Sequence, residues 1–192
     1  MEVETSGIPA GSQTVGPYFR IGLEYLLDRT PTMMLEATRT IQLRGRVLDR
    51  DGAPVPDAML EFWSAATVSR DVGMAQELGD FPAGFRRAVT DADGAYSLLM
   101  ERPSMELQDA EVVHSVQAPH MLVLVYARGL LRHLISRVYL GDEPGNQTDS
   151  VLAMISAERR PTLIARPDAS GASLYEWDVI LQGPMETVFF AW

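Results

Sequence analysis

The sequence predicts an all-β fold, a sandwich or barrel, from three observations. Several short segments alternate apolar and polar residues, which is typical of half-buried strands. Turns rich in Gly, Pro and Asp separate these segments. The chain has 192 residues, 46% of them hydrophobic, which is enough for one ordinary globular core. We therefore expect one sandwich domain, with an N-terminal arm and one short helix.

The predicted strands begin at residue 41. Residues 41–47 alternate, and residues 49–52 have the composition of a hairpin turn. Residues 121–127 form a near-continuous apolar run, which predicts a strand buried on both faces. Further strands are predicted at 58–63, 95–100, 134–140, 163–165 and 174–181, with a turn at 90–94.

Two segments do not follow a strand period. Residues 149–157 predict a short helix, with Thr148 or Asp149 as its N-cap. Residues 1–40 are interrupted by glycines and prolines, with a short helix predicted near residues 23–27. We interpret residues 1–40 as an arm that packs on a partner subunit, a frayed terminus being the alternative, and residues 41–192 as the sandwich domain.

Composition excludes several classes of function. The chain has no cysteine, which removes disulfides, zinc–thiolate sites, iron–sulfur clusters and thiol nucleophiles. Its net charge of −10 makes nucleic acid a poor partner. No segment approaches the roughly 20 apolar residues of a membrane helix, and the start lacks the pattern of a secretory signal. The expected location is therefore the cytoplasm, with no membrane partner.

Few residues could carry chemistry, since there are three histidines, His114, His120 and His133. Residues i and i+2 of a strand share a face, so a His-x-His pair would aim two imidazoles at one metal. This chain has Leu122 two residues after His120, hence one ligand at most, and a lone histidine is more often structural. We expect His133 on a strand, and no nucleophile-elbow or phosphate-binding glycine motif is present.

Several strings resemble the intradiol ring-cleaving dioxygenases. Residues 45–63, GRVLDRDGAPVPDAMLEFW, and residues 90–96, TDADGAY, are similar to segments found throughout that family. Three more segments, 14–19 (TVGPYF), 118–140 and 181–190 (LQGPMETVFF), are similar to the α subunit of its two-subunit members. The resemblance covers nearly all of the chain and implies a β-sandwich of the intradiol dioxygenase type.

The resemblance also implies what this chain lacks. The catalytic β subunit of such enzymes binds a non-haem Fe(III) through two tyrosines and two histidines, a ligand set that suits the oxidised metal. Here the corresponding segments, residues 64–74 and 104–111, contain no tyrosine. His120 is retained, and Leu122 replaces the second histidine. The resemblance therefore implies that Fe(III) is held by a partner β subunit rather than by this chain.

By the same resemblance, Gly16, Pro17 and Arg128 match substrate-proximal positions, and Tyr18 adjoins them. The guanidinium of Arg128 would pair with the ring carboxylate of a protocatechuate-type substrate. The plainer alternatives are a surface ion pair for Arg128 and a simple turn at Gly16 and Pro17. The implied partners are the β subunit, the aromatic substrate and O₂, in a hetero-oligomer of αβ units.

A second function stays open, because a fold does not determine an activity. The chain could be a non-catalytic, homo-oligomeric sandwich that binds other molecules and descends from the same fold. A dioxygenase complete in itself is disfavoured by the ligand count. The number of αβ units and the preferred catechol do not follow from one sequence.

Overall fold

The computed structural model describes residues 40–64, 84–104, 117–169 and 173–191. Within these ranges the chain consists mainly of short strands with one α-helix and two 3₁₀-helices. The elements are β1 (Thr40–Leu48), β2 (Met59–Ser64), β3 (Phe85–Val89), β4 (Ala95–Glu101), β5 (His120–Tyr126), β6 (Leu134–Leu140), a 3₁₀-helix (Pro144–Gln147), α1 (Ser150–Met154), a 3₁₀-helix (Arg160–Leu163), β7 (Ile164–Pro167), β8 (Leu174–Glu176) and β9 (Val179–Ile180).

These strands form one curled sheet, in the order β3-β2-β5-β6-β7-β8-β1-β4, with β9 beside β1. Strand β7 joins the two halves of the sheet. Its Ile164 pairs in parallel with Tyr139 of β6, and its Pro167 pairs in antiparallel with Tyr175 of β8. The curl brings the inner faces of both halves onto one core, so the predicted β-sandwich is confirmed.

The core is lined by alternate residues of strands from both halves. On β5, Met121, Val123 and Val125 are fully buried, whereas the residues between them are partly exposed. The strand is therefore not buried on both faces as the apolar run had suggested. A smaller second cluster lies beneath α1 and contains Ala118, Tyr139, Leu152 and Leu163.

A close contact connects β1 to the segment between β8 and β9. The buried Tyr96 donates its hydroxyl to the carbonyl oxygen of Trp177 at 2.7 Å. A Cβ atom added to Gly45 would lie 1.7 Å from that same oxygen, so only glycine lets the two backbones approach. The indole Nε1 of Trp177 donates to the carbonyl of Thr162 at 2.9 Å, which holds the segment from its other side.

Several predicted boundaries were wrong. The helix ends at Met154 rather than at 157, because Ile155 is extended and packs into the second cluster. The predicted strand 174–181 is split at Trp177 and Asp178 into β8 and β9. Strand β3 was not predicted, and His133 precedes β6 instead of lying on it.

The arm of residues 1–40 and its short helix fall almost wholly outside the described residues, where only Thr40 belongs to β1. In the described ranges, no helix has both the length and the apolar character required to cross a membrane.

Candidate functional site

The outer face of β5 carries His120, for which the sequence predicted a structural role and at most a single metal ligand. His120 and Leu122 share this face, as expected for residues two apart on a strand. The His120 ring stacks on Tyr139 with a centroid separation of 5.3 Å. Its Nδ1 lies 2.8 Å from the carbonyl oxygen of Ala118, so Nδ1 is the protonated nitrogen in this contact. Burial lowers the pKa of His120, and the imidazole serves as a neutral structural residue.

A buried aspartate organises the surroundings of His120. Asp149 caps α1 by accepting from the backbone N–H groups of Val151 and Leu152. Its other oxygen accepts from the N–H of Ala118 at 2.7 Å, the residue that also binds His120. The histidine is thus part of a hydrogen-bonded connection between β5 and the helix.

Tyrosine hydroxyls could serve as phenolate ligands only if they lost their protons. In the described residues all four tyrosines instead donate to oxygens of this chain: Tyr96 to Trp177 O (2.7 Å), Tyr126 to Glu61 Oε2 (3.4 Å), Tyr139 to Asp149 Oδ1 (3.3 Å) and Tyr175 to Asp142 Oδ2 (2.9 Å). Burial raises the pKa of each of these tyrosines, that of Tyr139 to about 12. The neutral phenol is therefore the stable form.

A second polar group on this outer face is also structural. Glu61 of β2 and Arg87 of β3 form an ion pair through Nε, at 3.1 Å, and Nη2 of the arginine. Both side chains are only 11% exposed, so each charge depends on the other to remain buried. Tyr126 donates to the other oxygen of the same carboxylate at 3.4 Å, so both oxygens of Glu61 have a partner within this chain.

Arg128 lies in the turn that follows β5, and its side chain is 62% exposed. Its Nη2 donates to Asp57 Oδ2 at 3.1 Å. The ion pair considered as the plainer interpretation is therefore present, and the role in substrate binding stays a prediction. Gly16, Pro17 and Tyr18 lie outside the described residues.

A groove of about 650 Å³ is formed by the end of β5, the loop after it and the C-terminal tail. Its lining residues include Tyr126, His133 and Phe189. Leu131 also lines the groove and is fully exposed. The tail is fixed in place because Phe190 N–H donates to the carbonyl of Ile135 at 2.8 Å. A volume of this size is typical of small-molecule sites. Two of its lining residues, 127 and 130, flank the turn that bears Arg128.

Sequence reasoning missed Asp57 and the Glu61–Arg87 pair. The signal available for Asp57 was a charged residue in the turn-forming segment 54–58, and the signal for Glu61 was a charge inside an apolar strand. Neither signal identified the partner residue.

The family model described as "Dioxygenase" matches residues 15–183 of this chain. The match spans most of the sequence and includes the strands that form the sandwich. The chain belongs to the intradiol dioxygenase family.

Among curated relatives, the chain is more similar to α chains than to a β chain of the same enzyme. The chain is 39% identical over 194 residues to the protocatechuate 3,4-dioxygenase α chain of Burkholderia cepacia. The matched region covers 93% of this chain and 95% of that one. It is 35% identical to the α chain from Pseudomonas putida, with 93% and 94% covered. The β chain from Burkholderia cepacia is more distant, at 27% identity over 160 residues, covering 76% of this chain and 67% of that one.

Solved structures agree with the fold. The dioxygenase domain of a dioxygenase carbohydrate-binding protein fusion from Streptomyces sp. SirexAA-E superposes with a TM-score of 0.54 at 24% identity, covering 76% of this chain and 80% of that one. Catechol 1,2-dioxygenase from Pseudomonas arvilla C-1 gives 0.55 at 22% identity, covering 79% of this chain and 54% of that one. At these identities the likeness supports the fold alone.

The intradiol dioxygenase family is iron-dependent, yet the described residues do not fit an iron centre. His120 has the aliphatic Leu122 beside it, and the tyrosines are protonated donors to other groups. Among the described residues, no three His, Cys, Asp or Glu side chains converge in a way that could hold a metal ion.

Proposed function

We propose that this chain is the α subunit of a heteromeric protocatechuate 3,4-dioxygenase and does not itself bind iron. It forms one wall of the active site in which the partner β subunit's Fe(III) supports cleavage of protocatechuate with O₂ to 3-carboxy-cis,cis-muconate. The observation that carries the proposal is the 39% identity to an α chain over 93% of this chain. The aliphatic Leu122 beside His120 supports it, because a subunit with this pair needs a partner to supply the metal.

In this proposal the chain's own residues bind and orient the substrate. Arg128 contacts the ring carboxylate, and Gly16, Pro17 and Tyr18 lie along the same wall. The high exposure of the Arg128 side chain supports this role, because a guanidinium at the surface can reach a ligand held by another subunit. The carboxylate contact orients the ring, and orientation accounts for a large part of catalysis in bound complexes.

The assembly is part of the same proposal. Residues 1–40 are an arm that packs on the β subunit, and residues 41–192 are the sandwich domain. The assembly is a cytoplasmic hetero-oligomer of αβ units. Leu131, which is 101% exposed and lines the groove together with Leu130 and Phe189, supports a surface that another chain covers.

Co-expression tests the proposal directly. We would co-express this chain with a β-type chain that has both tyrosines and the His-x-His pair, and follow O₂ uptake with protocatechuate. We expect the two chains to co-purify and to be active together, with each chain inactive alone. If this chain forms a homo-oligomer that does not associate with the β-type chain, the proposal is wrong and the non-catalytic binding module is supported instead.

A further inference from the structure

We propose that Asp57 is a positioning residue that holds the Arg128 guanidinium for recognition of a substrate carboxylate. The inference rests on the proposed function, because it concerns the same wall of the site. It adds a residue to which the sequence assigned no role.

The sheet topology brings the two residues together. Asp57 lies in the connection between β1 and β2, and Arg128 lies immediately after β5. Strands β2 and β5 are antiparallel neighbours in which Met59 pairs with Tyr126, so the start of one strand meets the end of the other. The two turns therefore emerge at the same edge, where Asp57 Oδ2 accepts from Arg128 Nη2 at 3.1 Å.

The backbone holds Asp57 in a defined position. Its φ of 60° lies in the left-handed region, which glycine, asparagine and aspartate adopt more readily than other residues. Its N–H donates to the carbonyl of Thr90 at 3.3 Å. The hydroxyl of Thr90, which is 1% exposed, accepts from Ala58 N–H and donates to Val55 O, both at 2.8 Å. The Asp57 carboxylate is thus carried by a turn that the buried Thr90 side chain holds in place.

The hydrogen-bond geometry leaves Arg128 able to bind a second carboxylate. An arginine has five N–H donors, and the contact with Asp57 uses Nη2. Whichever N–H of Nη2 is used, one complete two-donor edge of the guanidinium stays available for bidentate binding. The Arg128 side chain is largely exposed, so without a partner it would sample many rotamers. The contact with Asp57 restricts this freedom in advance, and less conformational entropy is then lost when the substrate binds.

The experiment compares two substitutions of Asp57 in the αβ complex. Asp57→Gly removes the carboxylate and suits the positive φ, whereas Asp57→Asn keeps an oxygen acceptor at the same backbone angle. We expect Asp57→Gly to raise KM for protocatechuate about 2–5-fold, the range of an exposed ion pair, with kcat unchanged. KM for catechol, which lacks the carboxylate, should not change. Asp57→Asn should stay near the wild-type value.

A matched control removes another exposed ion pair. Glu176→Ala removes the contact between Arg44 Nη2 and Glu176 Oε1, 2.6 Å long, on the other half of the sheet. It should leave both KM values unchanged. In an Arg128→Ala background, Asp57→Gly should have no further effect, because Asp57 acts through the arginine.

The outcomes separate this inference from the proposed function. A wild-type complex that does not turn over protocatechuate disproves the proposed function, and the inference with it. An active wild-type complex in which Asp57→Gly leaves KM unchanged or lowers it disproves the inference alone, a lower KM showing that Asp57 repels the substrate. An effect that persists in the Arg128→Ala background also overturns it.

Discussion

His120 and Leu122 share the outer face of β5, so the imidazole has an aliphatic neighbour where a second imidazole would be needed for a metal. The imidazole is also engaged, since Nδ1 donates to the carbonyl of Ala118 at 2.8 Å. The nearby Tyr139 hydroxyl donates to Asp149 and keeps its proton. This face, on which the sequence allowed at most one metal ligand, is therefore part of the protein's own packing.

The isolated chain should consequently contain almost no iron. Metal analysis should find far less than one iron per chain, without the visible absorption of ferric phenolates. Leu122→His should not change this result, because it restores an imidazole but no phenolate. The co-purified αβ complex is the control and should be coloured. Near-stoichiometric iron in a red-brown preparation of this chain alone would contradict the prediction.

Replacing Arg128 should weaken recognition of the carboxylated substrate. A hydrogen bond between charged groups contributes about 1.5–3 kcal/mol, so Arg128→Ala should lower kcat/KM for protocatechuate roughly 10–100-fold. Catechol should lose much less, and iron content should not change. Steady-state kinetics on the co-expressed complex with both substrates measures the difference.

Arg44→Ala is a suitable control for Arg128→Ala, because Arg44 is also a partly exposed, ion-paired arginine. It should leave both substrates unaffected. Equal losses for protocatechuate and catechol after Arg128→Ala would exclude a carboxylate role and leave the ion pair with Asp57 as the function of Arg128. A lower melting temperature with loss of both activities would indicate a structural role.

Local sequence pattern was sufficient for most of the strands, and it failed where a distant partner decides the structure. Strand β6 was predicted with its observed bounds, since its alternation is local. Strand β3 has two adjacent arginines that obscure the alternation. Its Arg87 can be largely buried because Glu61, 26 residues away, neutralises its charge across the sheet. Nothing in residues 85–89 themselves indicates that Glu61 is the partner of Arg87.

The same distinction between local and long-range information applies to the candidate site. The absence of a second imidazole at Leu122 could be read directly, because residues i and i+2 of a strand share a face. The ion pair between Asp57 and Arg128 could not, since it joins residues 71 positions apart. It depends on β2 and β5 being neighbours, which is a property of the whole sheet.

His120 should make stability depend on pH. Burial lowers the pKa of its imidazole, so below the unfolded value of about 6.5 the unfolded chain binds more protons than the folded one. The stability that comes from the neutral His120 imidazole is fully present above about pH 6.5 and is lost as the pH falls toward the lowered pKa of the folded state. The melting temperature of wild type minus that of His120→Gln should therefore decrease between pH 7.5 and pH 5. A constant difference over that range would show that His120 is not responsible.

Asp142→Asn provides the control for this pH experiment. Burial tends to raise the pKa of Asp142, but hydrogen bonds from Arg102 and Tyr175 outweigh burial and lower it. Its stabilising contribution is present above the usual carboxyl value of about 3.9 and is lost as the pH falls through the folded value. The difference between wild type and Asp142→Asn should therefore stay constant from pH 7.5 to pH 5.

Gly45→Ala should be among the most damaging single-methyl additions in this fold. A Cβ atom at Gly45 would lie 1.7 Å from the Trp177 carbonyl oxygen and 2.6 Å from its carbon. Both are backbone atoms and cannot rotate away, so β1 and the Trp177 segment would have to separate. The separation would also break the Tyr96 hydrogen bond to the same oxygen. We expect a loss of about 3 kcal/mol or more in the free energy of unfolding, at the upper end of overpacking costs.

Gly52→Ala distinguishes this steric effect from the general cost of replacing a glycine. Gly52 has a φ of +77° and no atom within 4 Å of an added Cβ, so alanine there meets only backbone strain of about 1–2 kcal/mol. Denaturant unfolding of both variants should rank Gly45→Ala well below Gly52→Ala in stability. Equal losses would mean that the contact between Gly45 and Trp177 yields easily, and that β1 and the Trp177 segment can separate at little cost.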